Sequence, residues 1–342
     1  MRPAHPTRRL ILAGAAGAAL APRAARALAV EEERTLGDGP ETLTILSTTD
    51  ADVFAPVLDA FLATRPGLRV RYTVAGTTDL HAAVAGGAAF DLAISSAMDL
   101  QMKLANDGHA RPAPGPAAWP RWARWRDELW AFAQEPVVTA LAPGAFAAPP
   151  ASRAQLVEAL RARPDDFRGR VGTYDPARSG AGYLFATQDA RRSDSFWRLA
   201  EVMGGLAPRL YASTGAMLRD LAQGRLTLAY NVLGSYAGAG PLAVELRDFT
   251  HVLLRTALIP AAAPRPDLGA RALAFLLSPE GQAAIAGAGL PPIDAASLAR
   301  APHLRPIRLD PGLLVYVDPL RRARFLREWG AAIRRPEAPA RP

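Results

Sequence analysis

At 342 residues, half of them hydrophobic, the chain is longer than one ordinary domain and can bury a core in each of two lobes of average size. Its formal net charge of +8 falls to +3 once Arg2, Arg8, Arg9, Arg23 and Arg26 of the leading segment are set aside, too mild for a nucleic-acid-binding face. Cysteine is absent, which excludes disulfides, a lipid-modified N-terminal cysteine, thiol catalysis and cysteine metal sites.

The chain opens as an export signal. Thr7-Arg8-Arg9-Leu10-Ile11-Leu12 leads an apolar, alanine-rich run that ends near Ala21, and Ala27-Leu28-Ala29 supplies small residues for cleavage near Ala29. The run is too short for a permanent membrane span. The paired arginines fit the twin-arginine route, with an ordinary secretory signal as the alternative. The mature protein is expected in the periplasm, beginning near Val30.

Strands and helices then alternate. Leu43 to Leu46 reads as a buried strand, and Val53, Phe54, Val57, Leu58, Phe61 and Leu62 mark one helical face, stopped by Pro66-Gly67. Val70, Tyr72 and Val74 alternate as a second strand, Asp79 to Val84 is a short helix, Leu92 to Ile94 a third strand, and Met98 to Ala105 a further helix. This order predicts a parallel sheet whose ligand side lies at the carboxyl ends of its strands. Trp119, Trp122 and Trp125 fall at helical spacing and, with Trp130, read as packing. Pro136 to Leu141 is a strand carrying the chain into a second lobe. There, helices over 156–162, 182–188, 196–203 and 216–222 alternate with strands over 170–173 and 226–231. Leu254 to Ile259 returns to the first lobe, and Arg271 to Leu277 begins a broken helix pair. The C-terminal arginines Arg321, Arg322, Arg324, Arg327, Arg334 and Arg335 read as a solvated basic tail.

Four turns place hydroxyls and glycines where a strand hands over to a helix: Ser47-Thr48-Thr49-Asp50, Ser95-Ser96, Arg178-Ser179-Gly180-Ala181-Gly182 and Ser213-Thr214-Gly215. The first amides of a helix lack intrahelical partners and carry the positive end of its dipole, so such turns suit phosphate or carboxylate. Ser and Thr are equally the ordinary N-caps, and Arg178 could pair with Asp175 at the surface. Taken together, the turns predict a ligand site of Ser47, Thr48, Thr49, Ser95, Ser96, Arg178, Ser179, Gly180, Thr214 and Tyr236, with Arg178 offering a bidentate fork. His81, His109 and His251 have no metal-ligand spacing. There is no Gly-x-Ser-x-Gly elbow and no phosphate-binding glycine-lysine loop, so no enzyme is expected. Asp50 and Glu135 are the candidate bases if it were one.

The order of elements, with Gly224-Arg225-Leu226, Leu258-Ile259-Pro260 and Ala274-Phe275-Leu276-Leu277-Ser278-Pro279-Glu280-Gly281-Gln282, resembles the type II periplasmic substrate-binding proteins of ABC importers, in the branch that takes ferric iron or phosphorylated solutes. That resemblance implies an α/β fold with two lobes, each a mostly parallel sheet flanked by helices, joined by hinge strands. Lobe 1 is expected over 40–135 plus 255–342 and lobe 2 over 136–254. It also implies a monomer that closes on a solute and docks on an inner-membrane ABC permease. The iron-binding members resemble one another in a pair of adjacent tyrosines, where this chain has Tyr230-Asn231-Val232-Leu233-Gly234-Ser235-Tyr236. The missing pair favours a small anionic solute (phosphorylated sugar, phosphonate or organic acid), with no cofactor and no metal. Ferric iron held by Tyr236 is the alternative, as is a ligand sensor for a membrane histidine kinase.

Overall fold

The structure, a computed structural model, describes residues 28–238 and 240–334. Apart from its last two residues, the expected signal segment lies outside them, as does Arg335 of the basic tail. No described helix is long and apolar enough to cross a membrane.

An edge strand β1 (Val30–Leu36) precedes β2 (Glu41–Ser47), α1 (Ala51–Ala63), β3 (Leu68–Ala75), α2 (Thr77–Ala85), β4 (Leu92–Ser95) and α3 (Met98–Asn106). β2 runs parallel to both β3 and β4, while β1 lies antiparallel on β3. Phe54, Val57, Leu58 and Phe61 bury one face of α1, as their spacing dictates. Two short strands, β5 (Ala110–Arg111) and β6 (Arg124–Trp125), lead to the long β7 (Leu129–Leu141). The tryptophans do pack, Trp119 donating to the Ala131 carbonyl and Trp130 to that of Ala113. Their segment is a 3-10 turn over Arg121–Ala123 followed by β6, so the helical spacing was fortuitous.

The second lobe follows with α4 (Arg153–Ala162), α5 (Pro164–Phe167), β8 (Val171–Tyr174), α6 (Gly180–Arg192), α7 (Ser195–Gly204), β9 (Arg209–Tyr211), α8 (Thr214–Ala222), β10 (Leu228–Leu233) and β11 (Leu242–Val244). β12 (Thr250–Pro260) returns to the first sheet, followed by α9 (Pro266–Leu276), α10 (Pro279–Gly287), α11 (Ala295–Arg300), β13 (Leu304–Pro306), α12 (Leu314–Val317) and α13 (Pro319–Ile333). The main strand order is β1-β3-β2-β4-β12-β7-β10-β8-β9. β7 is the joint: Trp130 to Pro136 pair with β12, whereas Val137 to Leu141 pair with β10.

The C-terminal helix departs from the expectation that 255–342 belongs with the first lobe. Phe325, Trp329 and Ile333 of α13 join the core of Phe196, Leu199 and Met203 on α7. Gly204 is what lets it approach, since a Cβ there would lie 2.3 Å from the Ala332 carbonyl oxygen. Beneath this layer, Asp189 is fully buried and accepts from Arg153 at 2.9 Å, Tyr230 at 2.9 Å and Asn231 at 2.8 Å, with His251 at 3.2 Å. Burial opposes its charge, yet Arg153 and these partners hold its carboxyl well below the usual range. Tyr230 and Asn231 are therefore spent on the core.

Two stability outcomes follow. Gly281→Ala would place a Cβ 1.8 Å from the Phe275 carbonyl oxygen, and chemical denaturation should show a loss of about 1–3 kcal/mol. Asp99, at the start of α3, is only 2% exposed, and burial pushes its carboxyl up to about 7. A folded-state value above the unfolded one means stability is full below pH ~4 and falls as pH rises through 7, by at most about 4 kcal/mol. Asp99→Asn should flatten the decline in melting temperature between pH 5 and 8; a decline as steep as in the wild type would refute this.

Candidate functional site

The carboxyl ends of β2, β3 and β4 face those of β8, β9 and β10 across a cleft of about 420 Å³. Strands that end on the same edge deliver their following helices there N-terminus first, which brings the starts of α1, α2, α3, α6 and α8 to one space. First-lobe walls come from Glu31, Thr48, Asp50, Thr77, Asp79 and Ser96; second-lobe walls come from Tyr174, Arg178, Ser179, Ser213, Thr214 and Tyr236.

The structure brings together six of the ten expected residues: Thr48, Ser96, Arg178, Ser179, Thr214 and Tyr236. Thr48 Oγ1 accepts from the Ser96 amide at 3.0 Å, so the two first-lobe turns brace each other. Ser179 and Ser213 cap α6 and α8, accepting from the amides of Gly182 and Ala216. Thr214 Oγ1 sits 2.5 Å from the Tyr174 hydroxyl. Ser47, Thr49 and Ser95 do not reach the cleft; they are buried behind its wall. Ser47 accepts from the Tyr72 hydroxyl at 2.7 Å, Ser95 from the Ala97 amide at 3.1 Å, and Thr49 from Arg255 at 2.5 Å. Gly180 also lies outside the lining and instead joins the two lobes. Its N–H donates across the lobes to Thr77 Oγ1 at 2.8 Å, and a Cβ there would meet Leu100 at 2.8 Å and Ala97 at 3.1 Å.

Sequence reasoning missed a fifth turn, Gly76-Thr77-Thr78-Asp79 at the end of β3, although its glycine and hydroxyls carry the same signal as the other four. It also missed Glu31, which arrives on the edge strand, and Arg255 on β12. Arg255 is 1% exposed and lies under the floor, its Nε donating to Glu135 Oε2 at 2.9 Å. Its guanidinium is 5.6 Å from the centre of the Tyr236 ring. Glu135 completes the link to the second lobe by accepting from the Ser235 amide at 3.2 Å and from the Ser235 hydroxyl. Its carboxylate is thereby engaged by both lobes.

The charges in the cleft are uneven. Among the described residues, the side chains of Glu31, Asp50, Asp79 and Arg178 make no hydrogen bond or ion pair. Asp175, the surface partner weighed for Arg178, instead accepts from the Ala177 amide. Asp79 Oδ2 and Glu31 Oε1 lie within 3.3 and 3.5 Å of the same point, where a Gly76 Cβ would stand. Burial and the neighbouring Asp50 and Asp79 push the Glu31 carboxyl above its ordinary value. Burial raises Asp50 as well, with Arg255 opposing. Tyr236 accepts from the Asp50 amide at 3.4 Å, and burial raises its phenol. Among the described residues, opposite walls thus offer the unpaired guanidinium of Arg178 with helix N-termini and a group of carboxylates without hydrogen bonds, of which Asp50 also feels the charge of nearby Arg219.

Residues 43–290 match the family described as bacterial extracellular solute-binding protein. A substrate-binding protein of an ABC transporter from Agrobacterium tumefaciens is 33% identical, covering 89% of this chain and 98% of its own, with a TM-score of 0.84. The periplasmic binding protein AfuA from Actinobacillus pleuropneumoniae, solved with fructose-6-phosphate, shares the fold at 16% identity, 87% and 100% coverage and a TM-score of 0.70. Iron-bound HitA from Pseudomonas aeruginosa does so at 18%, with 86% and 99% coverage and a TM-score of 0.63. A comparison with curated protein sequences gave no match. The two-lobed α/β fold, its interlobe cleft and these likenesses place the chain in the bacterial extracellular solute-binding proteins, the type II substrate-binding proteins of ABC importers.

Proposed function

We propose that the protein captures a small anionic solute bearing several hydrogen-bond donors, a phosphorylated sugar or a related phosphonate or organic acid, in the periplasm and delivers it to an ABC permease. The carrying observation is the polarity of the cleft. Arg178 and the starts of α6 and α8 form a wall for phosphate or carboxylate, while Glu31, Asp50 and Asp79 face it as acceptors without donors. A solute that is anionic at one end and rich in hydroxyl or ammonium groups at the other satisfies both walls. A bare inorganic anion would meet carboxylates on its far side. The AfuA complex with fructose-6-phosphate shows that this fold accommodates such a solute in another protein.

Ferric iron fits less well. A phenolate ligand must lose its proton easily, yet burial raises the Tyr236 phenol, whose oxygen already receives the Asp50 amide. Among the described residues no group of three or more His, Cys, Asp or Glu side chains is placed to hold a metal ion.

Thermal-shift screening of the purified protein against sugar phosphates, phosphonates, organic acids and ferric citrate tests this reading, because a ligand at 100 times its Kd adds about 2.7 kcal/mol. Arg178→Gln should weaken the best anionic ligand about 10- to 100-fold, the worth of one charge-assisted contact. A shift with ferric citrate alone, abolished by Tyr236→Phe, would overturn the assignment. Glu31→Gln separates the walls: by calorimetry it should weaken a hydroxyl- or ammonium-bearing anion several-fold while leaving inorganic phosphate equal or tighter, since it removes repulsion. Equal weakening of both would refute the donor-facing role of Glu31.

A further inference from the structure

A second concavity lies at the far end of α6. That helix begins at the cleft with Gly180 and ends at Arg192, thirteen residues or about 20 Å away, so its two ends serve separate sites. The far pocket, about 340 Å³, is bordered by Arg191 and Arg192 from the last turn of α6, and by Arg305, Arg308 and Asp310 on and after β13. None of the four arginines makes an ion pair among the described residues. Arg191 reaches the Gly312 carbonyl at 3.5 Å, and Arg305 the carbonyls of Pro302 and Leu304. Arg192 lies 6.0 Å from the Phe249 ring centre. The one nearby carboxylate, Asp310, is engaged in accepting from the Gly312 amide at 2.8 Å.

Four like charges converging on a concavity repel one another, and the negative end of the α6 dipole offsets only a part of that, within its last turn. Partial burial, with Arg305 and Arg191 beside it, pushes the Arg192 guanidinium below its ordinary value, as such crowding requires. An isolated solvated arginine needs no partner. Arginines gathered around one cavity, whose bordering carboxylate, Asp310, forms no ion pair with them, have the form of a receptor for a multiply charged oxyanion, which planar guanidiniums grip in bidentate fashion.

We propose that this pocket, formed by Arg191, Arg192, Arg305 and Arg308, is a second anion site that takes a phosphate-bearing group with two or more negative charges, independent of the solute cleft. The group could come from a free oxyanion or from a lipid headgroup, and the test separates these sources. Inorganic pyrophosphate is titrated calorimetrically at low ionic strength into the wild type, into Arg178→Gln of the cleft and into the double variant Arg192→Gln with Arg305→Gln. The same proteins are sedimented with vesicles containing cardiolipin, whose headgroup carries two phosphodiesters, and, as a control, phosphatidylcholine. The expected result is a pyrophosphate-binding event that Arg178→Gln leaves intact and that the double variant weakens at least about tenfold. It should also fade as salt rises. Sedimentation with the cardiolipin vesicles alone, lost in the double variant, without pyrophosphate binding would assign the site to headgroups. Binding of neither probe, or binding that the double variant leaves unchanged, would overturn the proposal. An unchanged melting temperature in the double variant shows that the surface substitutions have not unfolded it.

Discussion

The buried pairing of Arg255 with Glu135 is the constraint on which the site depends. Each residue sits on one of the two strands that cross between the lobes, and the strands are hydrogen-bonded neighbours through this region. The guanidinium reaches forward to Thr49 in the turn before α1, and the carboxylate reaches the other way to Ser235 in the second lobe. Burial opposes the Arg255 charge, but Glu135 overrides that cost and holds the guanidinium above its ordinary value. One charge pair therefore fixes three things at once: the floor of the cleft, the position of the 47–50 turn and the attitude of the loop that carries Tyr236. An apolar pair could fill the same volume, but it could not reach hydroxyls on both lobes.

Above that floor, the unpaired side chains explain why closure should depend on solute. A ligand selects the closed state only through its differential affinity for it. The direct links across the cleft are few, among them the Gly180 amide to Thr77 and the Asp50 amide to Tyr236. Each such bond is worth about 1 kcal/mol net. The larger forces are the charges left without partners, and they sit on opposite walls. Glu31, Asp50 and Asp79 share the first-lobe wall, so closure does not alter their spacing but strips water from them, which is unfavourable until something donates to them. Arg178 likewise gains most when an anion reaches it. An occupant that answers both walls replaces the water that closure removes from them.

Much of this was legible in the chain. Apolar spacing at Phe54, Val57, Leu58 and Phe61 revealed α1, and the alternation of short apolar runs with helical faces revealed the parallel sheets and the edge that carries the site. The turns at Thr48, Ser96, Arg178 and Thr214 were readable as helix starts on one edge because hydroxyls and glycines mark strand-to-helix junctions, although Ser179 and Ser213 also serve as the N-caps of α6 and α8. Whether a given hydroxyl faces solute or core was not readable: Ser47 and Thr48 are adjacent, and the period of the strand alone sends one inward and the other to the cleft. β1 escaped because its sequence, Val-Glu-Glu-Glu-Arg-Thr-Leu, is polar and pairs only at an edge, yet it delivers Glu31. Arg255 escaped because a charged residue within an apolar strand has no local signature of its partner 120 positions earlier. The placement of α13 depends on a close backbone approach at Gly204, which no periodicity encodes.

Tyr236 bears on which ligand chemistry this cleft can serve. Its hydroxyl occupies the start of α1, the place where an external anion could otherwise sit, and its ring lies against Arg255. The start of α1 is thus engaged from within the protein, by Tyr236 at the Asp50 amide and by Glu32 at the Ala51 amide, leaving the starts of α2, α3, α6 and α8 to border the cleft. To bind a metal, the phenol would have to ionise against its burial, and its oxygen would have to leave the Asp50 amide that anchors one lobe to the other. Metal coordination and closure would then compete for one oxygen atom. With an anionic, donor-rich solute they do not compete, because Tyr236 can remain where it is while Arg178 and the carboxylates do the recognising.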